Sequence, residues 1–269
     1  MHYKEKIKHI KIEDQPLVSV ITPLYNAASY IAKSIQSVRE QTYSNWEHIV
    51  VDDYSTDDSV LITEKLARAD KRIYFVANKT NQGAAKSRNW ATQLAKGKYI
   101  AFLDADDLWH PEKLMKQIRV MEKNTCDVCL TNYLQIDEEG NPLHKRIKAL
   151  PILSYKKQHK NNYVGNLTGI YNASTLGKIM APNIRKRQDW AVWLEALKIS
   201  GKPAIGIQED LAYYRVHDGS MSSSKLHLIR YNYLFYRSYL GYSKWKSIKS
   251  LIWFFWEYFL VRPKNIEKY

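Results

Sequence analysis

Sulfur is scarce in this chain, and so are long apolar runs. Only two of its 269 residues are cysteine, Cys126 and Cys129. Their C-x-x-C spacing can mark a redox or zinc site, but no second pair exists to complete a zinc site. The surrounding TCDVCLT reads as a strand that sends the two side chains to opposite faces, so they are read as inert thiols of a reducing compartment. No stretch reaches the roughly 20 apolar residues of a membrane-spanning helix. The longest candidate, LIWFFWEYFLV from Leu251 to Val261, is too short and contains Glu257. The N-terminal MHYKEKIKHIKIEDQP has no apolar core segment and does not read as a signal peptide; the expected location is the cytoplasm. There is no H-E-x-x-H, no nucleophile elbow with a Ser/His/Asp order, no internal repeat and no low-complexity tract. Acidic residues are few beside basic ones, 27 against 41, which leaves a formal net charge of +14. That excess points to an anionic partner: nucleic acid, an anionic membrane face or a phosphorylated substrate.

The rest of the composition is ordinary for a globular protein, with 45% apolar and 25% charged residues. The length suits one large domain, or one domain with an appendage. From Leu17 to about Lys123, apolar strand-like runs alternate with helical patterns. LVSVITPLYN, WEHIVVDD, RIYFVAN and KYIAFLD read as strands. Between them, SYIAKSIQSVREQ carries Ile31, Ile35 and Val38 at helical spacing with Ser29 as N-cap. DDSVLITEKLARA follows Ser55 and Asp58 at capping-box spacing, and GAAKSRNWATQLAKG closes on Gly97. PEKLMKQIRVMEK opens with Pro111 in its first turn. This alternation implies an α/β fold with a mostly parallel sheet flanked by helices. Ligands of such sheets bind beyond the carboxyl ends of the strands, where YN, DDYSTDD and DADD should gather. After Asp127 the pattern changes. A strand with a turn at Glu139 to Pro142 is followed by a basic, weakly patterned stretch from Lys145 to Asn162, read as a mobile loop. Two further strand regions enclose QDWAVWLEALKIS, whose Trp190, Trp193, Leu194 and Leu197 are placed on one helical face.

DADD ends an apolar run with Asp104, Asp106 and Asp107. On extended chain Asp104 and Asp106 point the same way. Two convergent carboxylates suit Mg²⁺ or Mn²⁺, and the ion would supply the positive charge that the cluster otherwise lacks; an acidic turn capping the next helix is the plainer alternative. In VVDDYSTDD, Asp53 or Asp52 could accept hydrogen bonds from a nucleobase or ribose, or serve only the turn. NQGAAKSRN sets Gly83 before a helix bearing Lys86 and Arg88, a start that could hold phosphate, although it matches neither G-x-G-x-x-G nor a P-loop. RKRQDWAVW places Asp189 at a helix start, as an N-cap or as a general base kept ionised by the helix dipole. YYRVHDGSMS offers Arg215 and His217 at a strand-to-loop junction.

In this order the motifs resemble those of the family 2 glycosyltransferases of GT-A fold. The resemblance runs from VSVITPLYN through VVDDYSTDDS, NQGAAKSRN, YIAFLDADDLWHPEKL and QDWAVWLEAL to LAYYRVHDGSMS, about Leu17 to Ser223. It implies a nucleotide-diphosphate sugar donor, most simply a UDP-sugar, a divalent metal, and inversion at the anomeric carbon. It further implies that Asp53 contacts the base. Asp104 and Asp106 match a D-x-D motif, with Asp104 nearer the ribose and Asp106 on the metal. Arg88 lies near the donor, with Pro23, Tyr25 and Ala105 in the same donor-binding turns. His217 reaches the metal or diphosphate, and Asp189 is the catalytic base. Many members read Glu-Asp where this chain has Gln188-Asp189. The chain is accordingly read as a GT-A catalytic domain over 1–224, with a donor half of about 17–125 and an acceptor half of about 126–224, followed by a helical membrane-associating or packing segment over 225–269.

From Lys225 to Lys268 there are nine Lys or Arg and two Glu, and the segment from Lys225 onward holds fourteen of the 34 aromatics. Ile248, Leu251, Ile252, Phe255, Tyr258 and Phe259 fall near one helical stripe, with Lys246 and Lys249 elsewhere on the wheel. This is the profile of an interfacial helix on an anionic leaflet; the alternative is a helix packed on the catalytic core. Membrane docking would place the protein on the inner face of the cytoplasmic membrane and suit a lipid-linked saccharide of a bacterial surface polysaccharide as acceptor. Two other classes compete. A nucleotidyltransferase could use the same acidic site. A non-enzymatic nucleic-acid binder would interleave cations and aromatics along a groove, but here the interleaving is confined to one tail, so no nucleic-acid partner is expected.

Overall fold

A computed structural model describes residues 15–217 and 225–269. The boundary expected at 224 and the end of the last motif, Asp218 to Ser223, lie outside the described residues. So does most of the N-terminal stretch.

The donor half is built as its apolar periodicity predicts. Strands β1 (Val18–Leu24), β2 (Trp46–Asp52), β3 (Ile73–Ala77) and β4 (Tyr99–Phe102) alternate with helices α1 (Ile31–Arg39), α2 (Ser59–Ala69) and α3 (Ala84–Leu94). β1 pairs in parallel with β2 and β4, and β2 in parallel with β3. Short β5 (Leu108–Trp109) and helix α4 (Lys113–Asn124) follow. The second half adds β6 (Val128–Ile136), β7 (Pro142–Ile147), β8 (Ile152–Leu153), α5 (Tyr155–Lys160), β9 (Ile170–Asn172), α6 (Ala173–Leu176), α7 (Gln188–Ser200) and β10 (Ala204–Arg215). The tail contributes α8 (Lys225–Leu234), α9 (Lys244–Trp256) and β11 (Ile266–Lys268). The sheet runs β11-β7-β6-β9-β4-β1-β2-β3, with β10 parallel to β6.

Both faces of the sheet are covered, so its central strands β1 and β2 are buried at every residue and largely apolar. Val18, Val20 and Leu24 pack with Ile31, Ile35, Val38, Leu114 and Ile118 on one side. Ile21, Ile49, Ile100 and Phe102 pack with Ala91, Trp193 and Leu197 on the other.

Several local expectations are corrected. Tyr30, not Ser29, precedes α1, and no side chain caps it. Ser55 does not cap α2: its hydroxyl donates to Asp52, while Asp57 accepts from the Ser59 amide at 3.0 Å. Helix α3 ends at Leu94 with Ala95 as C-cap. Gly97 is required for another reason, because a Cβ there would lie 2.6 Å from the Ser19 amide nitrogen. Pro111 stands ahead of α4 rather than in its first turn. The stretch from Lys145 to Asn162 is not a loop: it forms the end of β7, then β8 and α5. Cys126 precedes β6, so both cysteines enter the same core cluster rather than opposite faces. Both are free and buried, and burial pushes the Cys129 thiol up to about 12. The four residues assigned to one face of α7 are all buried but divide between two cores. Trp193 and Leu197 lie beneath the sheet, and Trp190 and Leu194 pack with Phe235, Tyr236 and Phe254 of the tail.

That last contact joins the tail to α7. Trp190 stacks on Phe235 with ring centroids 4.3 Å apart, an arrangement worth roughly 0.5–1.5 kcal/mol beyond its buried area. The stripe expected on the tail divides accordingly. Leu251 and Phe255 turn inward, while Ile248, Ile252, Tyr258 and Phe259 remain exposed. Among the described residues no helix is long and apolar enough to cross a membrane.

Candidate active site

The turns that leave β1, β2 and β4 meet at the carboxyl edge of the parallel strands. Pro23 is buried inside β1 opposite Val51, and Tyr25 just beyond is exposed. Asn26 accepts from the Thr56 amide at 2.8 Å, which ties the first turn to the second.

Asp53 is 2% exposed. Its Oδ1 accepts from Asn78 Nδ2 at 2.8 Å, the Gln82 amide at 2.9 Å and Ser87 Oγ at 3.0 Å, and its Oδ2 accepts from the Gly83 amide at 2.7 Å. The anion at the start of α3 is therefore Asp53 itself, at the place where the sequence allowed either a phosphate or simply a solvated basic helix. Gly83 makes this possible with φ of 89°, a left-handed conformation that only glycine adopts cheaply. These four bonds let Asp53 shape the Gln82–Gly83 turn.

β4 stops at Phe102, so Asp104 and Asp106 stand in a turn closed by the Asp107 amide donating to the Asp104 carbonyl at 3.1 Å. They are not aligned on extended chain, and each carboxylate takes a different partner. Arg88 Nη2 lies 2.9 Å from Asp104 Oδ1, with Asn166 Nδ2 beside it at 3.3 Å. His217 Nε2 lies 2.8 Å from Asp106 Oδ2. Ala105 between them is buried. Behind the pair, buried Asp107 accepts from the Arg215 amide at 2.9 Å, and Arg215 Nε donates to the Asp106 carbonyl at 2.9 Å. Burial, then Asp106 and Asp104, push the Asp107 carboxyl well above the usual range. Burial and Asp104 also raise Asp106, against the pull of His217. The acidic cluster thus has protein cations of its own, Arg88 and Arg215, which its sequence context did not reveal.

Asp189 stands one residue into α7, where Arg187 in a left-handed conformation is the N-cap. Asp189 is therefore not a cap. Its Oδ2 accepts from Asn162 Nδ2 at 2.7 Å. The structure brings Arg88, Asp104, Asp106 and His217 into one cluster, and it gives Asp189 no direct bond to them. The segment from Asn162 to Asn166 connects the two places. Asn162 closes the stretch read as unpatterned and Asn166 falls in a segment read as a strand, so neither carried a functional signal in the sequence.

Residues 19–181 match the family model described as glycosyl transferase family 2. The chain belongs to this family. A protein of Bacillus subtilis (strain 168) named as the teichuronic acid biosynthesis glycosyltransferase TuaG is 43% identical over 223 residues, 83% of this chain and 88% of the relative. UDP-Glc:α-D-GlcNAc-diphosphoundecaprenol β-1,3-glucosyltransferase WfgD of Escherichia coli is 38% identical over 79% of this chain and 82% of its own length. Among solved structures, residues 1–349 of S. aureus TarS in complex with UDP-GlcNAc superpose with a TM-score of 0.71 at 24% identity, covering 92% of this chain and 74% of that one. The fold is GT-A, and the enzyme class is glycosyltransferase rather than nucleotidyltransferase or anionic-polymer binder. The matched region ends before Asp189 and His217, which lie in the part covered by the longer alignments.

Proposed function

We propose that the protein transfers a sugar, with inversion, from a UDP-sugar to a hydroxyl of a lipid-linked saccharide in the assembly of a bacterial surface polysaccharide. The observation that carries this reading is the gathering of Arg88–Asp104 and Asp106–His217 at the carboxyl edge of β1, β2 and β4, with Asp189 on a separate helix. WfgD, by its name, uses UDP-Glc and a diphosphoundecaprenol-linked sugar.

The residues fit a divalent cation. Burial first and the neighbouring Asp104 carboxylate second raise Asp106, a strain that a bound cation would relieve, and His217 adds a nitrogen donor beside it. Among the described residues no group of three ligand-type side chains is present. Asp106 and His217 would hold Mg²⁺ or Mn²⁺, leaving further positions to diphosphate oxygens and water, as magnesium sites commonly do. Bound there, the ion supplies charge stabilisation for the departing diphosphate. The protein's own groups do the rest. Asp53 orders the turn from which α3 carries Arg88, and Arg88 holds Asp104 for the ribose side of the donor. Asp189 removes the proton of the acceptor hydroxyl as that oxygen attacks the anomeric carbon. The bond from that carbon to the diphosphate oxygen breaks on the opposite face, releasing nucleoside diphosphate. One base and one displacement suffice, unlike the two-carboxylate route of retaining glycosidases.

The tail suits an anionic membrane surface. Trp245, Ile248, Ile252, Trp256 and Phe259 recur at helical spacing and are exposed, Trp245 to 83%. Lys244 and Lys249 are exposed beside them. Apolar stripe and flanking cations are the two terms of interfacial binding.

A panel of UDP-, GDP- and dTDP-sugars tests the donor. Nucleoside diphosphate should appear with UDP-sugars, stop on chelation and return with Mg²⁺ or Mn²⁺. Release of nucleoside monophosphate instead would refute sugar transfer.

A further inference from the structure

We propose that Glu257, in the C-terminal segment, is a positioning residue for sugar transfer: through Tyr163 it fixes the loop whose Asn162 orients Asp189. This rests on the reading of Asp189 as the base.

The chain of bonds has a fixed direction. Gln158 is wholly buried, and its Oε1 accepts from the Tyr163 amide at 2.9 Å. A backbone N–H can only donate, so the Gln158 amide must turn its Nε2 away, toward Asn162 Oδ1 at 2.8 Å. With its oxygen occupied, Asn162 presents Nδ2 to Asp189 Oδ2. One carboxylate oxygen of Asp189 is thereby held, and the other is left for a substrate proton. Trp190, next to Asp189, donates its Nε1 to the Gln158 carbonyl at 2.7 Å and closes the circuit.

The C-terminal segment grips this relay on both sides of Asn162. Tyr163 OH donates to Glu257 Oε2 at 2.6 Å, and Arg262 Nη1 donates to Asn161 Oδ1 at 3.1 Å. Glu257 is buried and also receives Lys157 Nζ at 2.6 Å. Burial pushes its carboxyl up, but the bonds from Lys157 and Tyr163 outweigh burial and hold it below the ordinary range. Glu257 is thus a charged clamp under the loop. The far end of the loop is held from the donor half. Trp109 Nε1 donates to the Leu167 carbonyl at 2.8 Å and Gln117 Nε2 to the Thr168 carbonyl at 2.9 Å. Between these anchors Asn166 reaches Asp104. One short loop therefore touches both Asp189 and the turn of Asp104, and its Asn162 side is the one gripped by the last thirteen residues of the chain. Misplacing a reacting group by about 1 Å can cost on the order of 100-fold in rate.

The test uses the full chain with Tyr163→Phe, Glu257→Ala, their double variant, Glu257→Gln and, in parallel, Asp189→Asn. Turnover is followed with the donor and acceptor that the nucleotide-sugar panel selects, beginning with UDP-glucose and α-GlcNAc-diphosphoundecaprenol. Binding is measured with UDP alone, and folding by thermal denaturation. Tyr163→Phe and Glu257→Ala should each lower kcat about 10- to 100-fold with UDP affinity unchanged. The double variant should be no worse than Glu257→Ala, since both break one contact. Glu257→Gln keeps an acceptor for the tyrosine hydroxyl and should recover most of the rate. Wild-type kcat in Tyr163→Phe, additive losses in the double variant, or losses that follow UDP affinity would overturn the proposal. Should Glu257→Ala fail to fold, Tyr163→Phe, which removes one hydroxyl, still decides it. Near-normal transfer by Asp189→Asn sinks the base reading itself. An inactive Asp189→Asn beside fully active Tyr163→Phe and Glu257→Ala sinks only the positioning role.

Discussion

Asp53 on the donor side receives four hydrogen bonds, each from a residue no more than 34 positions away. Asp189 on the acceptor side receives its bond from Asn162, and the loop of Asn162 is held by Glu257, 94 positions beyond Tyr163. The donor turn can form as soon as β2, β3 and α3 have formed. The acceptor side needs the end of the chain to return and close over it, which carries the loop-closure cost of non-local contact. A turn that is built locally and a proposed base that is held from afar should respond differently to substitution. The first should couple nucleotide affinity to stability, and the second should couple turnover to the tail.

The sharpest way to separate them is at the base. Asp189→Asn should reduce transfer by about 100- to 10,000-fold, the range of general-base contributions, and leave UDP affinity within a few-fold. Transfer at a near wild-type rate, measured by product formation, would remove Asp189 from the chemistry. Asp53→Ala should do the reverse. It strands the Gln82 and Gly83 amides, Asn78 and Ser87, and one buried group left unpaired already costs about 1–3 kcal/mol. Urea denaturation should show a loss near 3 kcal/mol or above, with weaker UDP binding in calorimetry as the turn before Arg88 loosens. Unchanged stability would mean that the four donors find other partners.

At the outer face of the tail, Ile252→Asp with Phe259→Asp should lower binding to vesicles containing anionic lipid about tenfold or more. Both side chains are exposed, Ile252 to 64%, so the melting temperature should hold. Equal sedimentation of variant and wild type would show that the stripe meets something other than lipid. Deleting everything after Ser224 is a poorer experiment. It would also strip Phe235, Tyr236 and Phe254 from Trp190, and Glu257 from Tyr163.

This asymmetry also explains what was legible in the sequence. Strands β1, β2 and β4 announce themselves because parallel strands buried on both faces are continuous apolar runs, and the polar turns after them must meet at one edge. The turn of Asp104 and Asp106 was legible for that reason, whereas Asp189 was legible only as a helix start and its role as base came from the family resemblance. The caps were not. Ser55 and Asp57 have the right chemistry for a helix start, but which backbone amide a side chain serves depends on the neighbouring turns. Ser55 is drawn to Asp52, and its hydroxyl also takes the Asn26 amide at 2.9 Å. Asn162, Asn166 and Glu257 have no periodicity that could mark them. Glu257 even read as a flaw in an apolar helix, when its charge is answered by Lys157 and Tyr163 from a distant part of the chain.

The donor half also contains one group that works against its stability, and it offers the smallest and most specific test. Lys113 at the start of α4 is wholly buried, with its Nζ 2.7 Å from Gln117 Oε1 and 3.9 Å from the centroid of the Trp109 ring. Burial pushes its ammonium down to about 7 from 10.5. In the unfolded chain the group titrates near the ordinary value, so between about pH 7 and 10.5 the unfolded state binds the additional proton. Stability should therefore rise with pH across that window, and below about 7 the cost of the buried charge is fully present. Lys113→Met removes the charge and keeps an unbranched side chain against Trp109. It should raise the melting temperature more at pH 6.5 than at pH 9, by a few degrees at about 1 kcal/mol of gain. A gain that is the same at both pH values would mean that Lys113 enters the folded state charged, stabilised by the Trp109 ring and Gln117. The Trp109 and Gln117 bonds that hold the Asn166 end of the loop would then rest on a cation, and the local half would owe part of its rigidity to charge.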